Sequence, residues 1–176
     1  MKISNLVIAL FCSINFSMAQ KPLITKSGQI TFFSHTVAED VEATNNQVYC
    51  TVNTSNGKMQ FAVLIKGFTF ENALMQKHFN EPDYLNSNAF PKSTFVGSLT
   101  NLSQINFNKN GSYTAFADGI LNLHGVSKKI QQKGTIVVAD RKVKLTSKFI
   151  IKPKDFKIDV PEGISEEIEV SIVCDF

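Results

Sequence analysis

The chain has 176 residues, 43% hydrophobic and 19% charged, with a formal net charge of +3. That length suits one domain with a real core, and the composition excludes a disordered tail, a collagen-like repeat and a disulfide-dense mini-protein. The charge is too small to argue for nucleic acid, and no nucleic-acid motif accompanies it.

The N-terminus reads as an export signal. Lys2 supplies the positive charge, Leu6 to Phe11 the apolar stretch, and Ser17-Met18-Ala19 the small residues of a cleavage site before Gln20. The expected organisation is a signal peptide over 1–19 and one mature domain over 20–176, periplasmic or secreted. The apolar run is too short for a confident transmembrane span. Phe11 before Cys12 argues against a lipoprotein. Cys50 and Cys174 remain in the mature chain. Export would permit a disulfide, whereas their place in apolar alternations suits buried free thiols.

Alternation with period 2 dominates the mature chain and predicts half-buried strands. The inward phase carries Ile30 and Phe32, then Val48, Cys50 and Val52. Asn56-Gly57 reads as a tight turn before Met59, Phe61, Val63 and Ile65. Glu71 to Phe79 is the helical candidate, with Leu74, Met75, His78 and Phe79 on one stripe. Asn80 to Pro91 reads as a loop. Further strands follow through Phe95, Gly97 and Leu99, then Ala115, Ala117, Gly119, Leu121 and Leu123. Next come Ile130, Gln132, Gly134, Ile136 and Val138, then Val143, Leu145, Ser147 and Phe149. Lys152 to Ser165 is a second long connection, and Ile168, Val170, Ile172 and Cys174 form the last strand. About eight antiparallel strands result, with no regular βα alternation. An all-β sandwich and a closed eight-stranded barrel both fit the pattern.

Charge is unevenly placed. Ten Lys or Arg face two acids from Lys128 to Lys157, and six acids stand without a base from Asp159 to Asp175. An anionic-headgroup patch is one reading. The better one sets the Lys142/Lys144/Lys148 row against the Glu167/Glu169 row across an antiparallel pair.

Reactive constellations are weak. His35, His78 and His124 lack zinc-ligand spacing, so no metal or other cofactor is expected. His78 suits a packed histidine and His124 a turn. No nucleophile elbow, Cys/His pair or phosphate loop is present. Ser34, Gln132 and Ser147 are poor material for catalysis, and a binding protein rather than an enzyme is expected.

Two segments carry a family resemblance. One runs from Leu74 through His78-Phe79, Tyr84-Leu85 and Phe90-Pro91 to Phe95; the other is Gly119-Ile120-Leu121-Asn122-Leu123-His124-Gly125-Val126-Ser127-Lys128. With Gly28-Gln29-Ile30-Thr31-Phe32 and Lys154-Asp155-Phe156-Lys157-Ile158, in this order, they resemble the YceI-like family of exported bacterial proteins. The sequence departs at Lys157, where many relatives place Gly. The resemblance implies an extended eight-stranded, lipocalin-like antiparallel barrel with one short helix and a long loop. It also implies a polyisoprenoid or other long-chain amphiphilic lipid as partner in an apolar interior, and it leaves a homodimer open.

Thirteen of the 15 Phe lie after Phe16. Any one could be plain core; as a set they suit an apolar pocket. The expected lining is Ile30, Phe32 and Val48; Met59, Phe61, Val63 and Ile65; Phe68, Phe70, Met75, Phe79 and Phe90 around the helix and loop. It continues with Phe95; Ala117, Gly119, Leu121 and Leu123; Ile136; Leu145 and Phe149; and Val170 and Ile172. Small inward residues at Ala115, Ala117 and Gly119 are expected to hold space open. The rival readings are an enzyme acting on a lipid or quinone precursor, and an envelope stress or structural protein with a solid barrel.

Overall fold

The computed structural model describes residues 22–35, 40–160, 163 and 165–176. The expected export signal and cleavage site lie outside the described residues. The strands are β1 (Leu23–Ser34), β2 (Val41–Val52), β3 (Lys58–Leu64), β4 (Thr69–Phe70), β5 (Lys92–Leu99), β6 (Gly111–Leu123), β7 (Val126–Ala139), β8 (Lys142–Ile151) and β9 (Ile168–Asp175); the helix α1 spans Ala73–Asn80.

Eight strands close into an antiparallel barrel in the order β1-β9-β8-β7-β6-β5-β3-β2, with β2 returning to β1. The two-residue β4 pairs with β2 outside this ring. Closure chooses the barrel over the sandwich. One apolar face is buried and sheet edges are removed together.

The two ends differ. At one end lie the β2–β3 and β7–β8 turns and the β5–β6 connection. Asp140 and Arg141 form the β7–β8 turn with φ of 49° and 66°, the left-handed pair that a two-residue hairpin demands. The β2–β3 connection is looser than expected. Only Gly57 takes a positive φ, +73°, while the Asn53 carboxamide oxygen accepts the Ser55 and Asn56 amides. Val52, Met59, Leu99, Ile105, Ile136, Val138 and Val143 pack into a solid floor here.

At the other end lie α1, the loop to Pro91, and the β8–β9 connection. The Asn72 side chain caps α1, accepting from Leu74 and Met75 N–H, as an N-cap should. The helix turns Met75, His78 and Phe79 toward the barrel interior. Leu74, expected on the same stripe, is 59% exposed. Eight residues make barely two turns, and one apolar side chain is left over.

Between β2 and β3 the ladder covers only Tyr49↔Ala62 to Val52↔Met59. The fully buried Asn45 fills the gap beyond. Its Nδ2 donates to the Leu64 carbonyl at 2.9 Å and its Oδ1 accepts from Gln47 N–H at 2.8 Å. Cys50 and Cys174 are free and fully buried. They meet beside Gly28, where a Cβ would come within 2.8 Å of Cys174 Sγ. The hydrogen bond with Cys174, and then burial, push the Cys50 thiol far above the usual range.

The charged rows on β8 and β9 do face each other, shifted from the expected partners. Lys144 meets Asp175 at 3.3 Å, Lys148 meets Glu169 at 2.6 Å, and Lys152 meets Glu167 at 3.2 Å. After the short turn Pro153–Phe156, Lys157 adopts φ 56° and ψ 36°. This left-handed turn is made with a strained lysine rather than Gly.

Candidate ligand-binding cavity

Above the floor the barrel is hollow. A cavity of about 770 Å³ runs toward α1, within the ~300–1,000 Å³ of small-molecule sites. Strand alternation explains the wall, because every second residue points inward.

Eighteen of the expected residues line this cavity. They are Ile30 and Phe32 of β1; Met59, Phe61 and Val63 of β3; Ile65, Phe68 and Phe70; Met75 and Phe79 of α1; Phe95 of β5; Ala117, Leu121 and Leu123 of β6; Leu145 and Phe149 of β8; and Val170 and Ile172 of β9. Ala115 lines it too.

Four expected residues do not line it. Ile136 is 1% exposed and belongs to the packed floor. Val48 is also fully buried, beside Gly28. Phe90 packs on the His124 ring at 4.4 Å and against Gly125, outside the cavity. Gly119 lies beneath the Phe95 ring, where a Cβ would come within 2.5 Å of Cζ. The small residues therefore hold space open at Ala115 and Ala117, whereas at Gly119 and its partner Gly97 the Phe95 ring fills it.

Four rings fasten α1 over the barrel. Phe32 stacks on Phe79 at 5.4 Å, and Phe68 and Phe70 meet both at 5.0–5.6 Å. Such pairs contribute ~0.5–1.5 kcal/mol each beyond burial. Sequence reasoning missed Tyr84, Leu85, Ile158 and Val160, which the long connections deliver to the wall. It placed Ile130 on the inward phase without counting it as lining; the structure does.

Several interior polar groups are committed to the protein itself. Ser93 donates to the Asn122 carbonyl and Ser147 to the Lys133 carbonyl, both at 2.8 Å. His78 Nδ1 lies 2.9 Å from Glu81 Oε2 near α1. His124, at φ 51°, helps make the β6–β7 turn, and its Nδ1–H donates to the Phe156 carbonyl. Among the described residues no three His, Cys, Asp or Glu side chains converge to hold a metal.

The YceI-like domain family model matches residues 22–176. The chain belongs to the YceI-like family. Solved YceI-like folds agree with the barrel described above. A polyisoprenoid binding domain from Saccharophagus degradans, implicated in plant cell wall breakdown, superposes with a TM-score of 0.73 at 11% identity, covering 88% of this chain and 96% of that one. Burkholderia cenocepacia BcnA gives 0.71 at 12% identity, covering 85% and 96%. A Campylobacter jejuni YceI protein gives 0.57 at 16% identity, covering 100% and 90%. At these identities the likeness is one of fold. No curated protein matches the sequence. Among the described residues no helix of this YceI-like chain is long and apolar enough to cross a membrane.

Proposed function

We propose that this YceI-like protein is exported and holds a polyisoprenoid-like or other long amphiphilic lipid in its barrel, as carrier or store. The observation that carries the reading is the 770 Å³ cavity with its almost wholly hydrocarbon wall. Each CH₂ of a chain buried there contributes ~0.8 kcal/mol, so a long tail can be held without a polar contact along its length. Family membership and the shared fold of the polyisoprenoid binding domain support the ligand class. Lys2, the apolar stretch and Ser17-Met18-Ala19 support export to the periplasm or beyond. The serine hydroxyls committed to main-chain carbonyls favour binding over catalysis.

The test is mass spectrometry of organic extracts from protein recovered from its native envelope. A stoichiometric isoprenoid or other long-chain lipid is expected, on a chain beginning at Gln20. Repeatedly lipid-free protein, unable to take up such a lipid when offered it, would overturn the binding reading. Retained Met1 would overturn the export reading.

A further inference from the structure

The ladder between β7 and β8 is incomplete. It runs from Ala139↔Lys142 to Gly134↔Ser147 and stops. Yet β7 continues to Val126 against β6, and β8 continues to Ile151 against β9. The last rung is finished by a side chain, the Ser147 hydroxyl on the Lys133 carbonyl. Beyond it a cleft of about 340 Å³ lies between the parted strands. Cleft and cavity share Leu121, Ile130, Gln132, Phe149 and Ile151 as wall residues. The cleft thus adjoins the cavity along these side chains. Asn45 plugs the corresponding gap between β2 and β3; here the Pro153–Phe156 turn reaches across at the rim, through Lys128–Asp155 and His124 on the Phe156 carbonyl.

Gln132 stands where cleft and cavity meet. Its ladder partner on β6 is Ala117, and its carboxamide makes no hydrogen bond to any described residue. The residue is half-buried, so its carboxamide is free to pair with a guest. An oxygen on a ligand can accept from it. At the rim, Lys128 pairs with Asp155 at 2.9 Å and Lys152 with Glu167 at 3.2 Å. Lys129, also on the cleft wall, has no ion-pair partner among the described residues. The two rim carboxylates are therefore held by other lysines, and Lys129 is the uncommitted charge. The opposite route runs past α1 and the four-ring cluster.

We propose that the polar head of the bound amphiphile lies in the β7–β8 cleft, with its chain in the main cavity. The head is of an oxygen-rich, anionic class. Gln132 donates its amide N–H to a head oxygen, and Lys129 supplies the countercharge. The proposal rests on the lipid-binding reading.

Two probes, geranylgeranyl monophosphate and geranylgeraniol, share a tail and differ in head. On the isotope-labelled mature chain, amide shift differences between the two complexes are expected at residues 128–133 and 149–152. Differences confined to residues 73–85 would overturn the proposal. A charge-assisted hydrogen bond contributes ~1.5–3 kcal/mol, or roughly ten- to a hundred-fold in Kd. Gln132→Leu and Lys129→Gln should each weaken the monophosphate by about that factor. Lys129→Gln should leave the alcohol's affinity nearly unchanged, and neither variant should move the melting temperature. Wild-type affinity for the monophosphate in both variants would also overturn it. If neither probe binds at all, the lipid-binding reading fails and takes this one with it. If both bind without a head-dependent signal at the cleft, this proposal alone fails.

Discussion

Ala117→Phe separates a hollow barrel from a packed one. Ala117 lies between Leu99 of β5 and Gln132 of β7, one inward position below the Phe95-covered Gly119. Its methyl faces the cavity. In a full core the added ring costs ~1–3 kcal/mol through displaced neighbours. In open space it buries itself instead, a gain of ~1.5–3 kcal/mol. Stability should therefore stay level or rise slightly. The ligand loses what the ring takes. Displacing about five carbons forfeits ~4 kcal/mol, close to a thousand-fold in Kd. The assay pairs a melting curve with quantified co-purified lipid. A fall in stability of ~1–3 kcal/mol, the overpacking range, would show that the site was full. An unchanged lipid content would show that the chain lies elsewhere.

Lys157→Gly should stabilise by up to ~1 kcal/mol, because Gly relieves the left-handed strain but loses more freedom on folding; a lower denaturation midpoint would refute the strained-turn account. Gly119→Val should destabilise by at least ~1–3 kcal/mol, since the branched side chain meets the Phe95 ring and the Val96 carbonyl in filled space, and chemical denaturation measures it. Cys50 predicts a pH effect. Its raised folded pKa means that its contribution is whole below the unfolded thiol pKa of ~8.5 and declines above it, by up to ~1.4 kcal/mol per pH unit. Relative to Cys50→Ala, the wild type should lose stability faster from pH 8.5 to 10.5, and parallel profiles would refute this. Lys144→Glu places like charges beside Asp175, both exposed; it should cost about 1 kcal/mol or less and leave lipid content intact.

Period-2 alternation made nearly every barrel strand legible, because a half-buried strand writes its geometry into every second residue. It did not reveal closure, which depends on β1 finding β2 across the whole chain. Nor did it reveal β4, two residues long, or the Asp140-Arg141 turn, whose left-handed pair uses neither Asn nor Gly. Alternation identifies a face, not a depth along the barrel axis. Ile136 and Leu145 share the inward phase and one rung of the β7–β8 ladder, yet only Leu145 reaches the cavity. Val48 was misread for the same reason. Gly119 and Phe95 needed the β5–β6 register, which no single strand carries. Tyr84, Leu85, Ile158 and Val160 sit in connections with no period at all, so their arrival at the wall follows from tertiary packing.

The unlike ends of the barrel imply unlike local stabilities. Amide protection follows local opening, and opening is cheapest where few apolar contacts and long connections meet. Around Val52, Ile136, Val138 and Val143, exchange should require global unfolding. Around α1 and residues 152–160 it should proceed through small excursions that leave the floor intact. A long guest can then enter through fraying of one rim while the far end keeps the fold registered, so loading and folding draw on separate barriers.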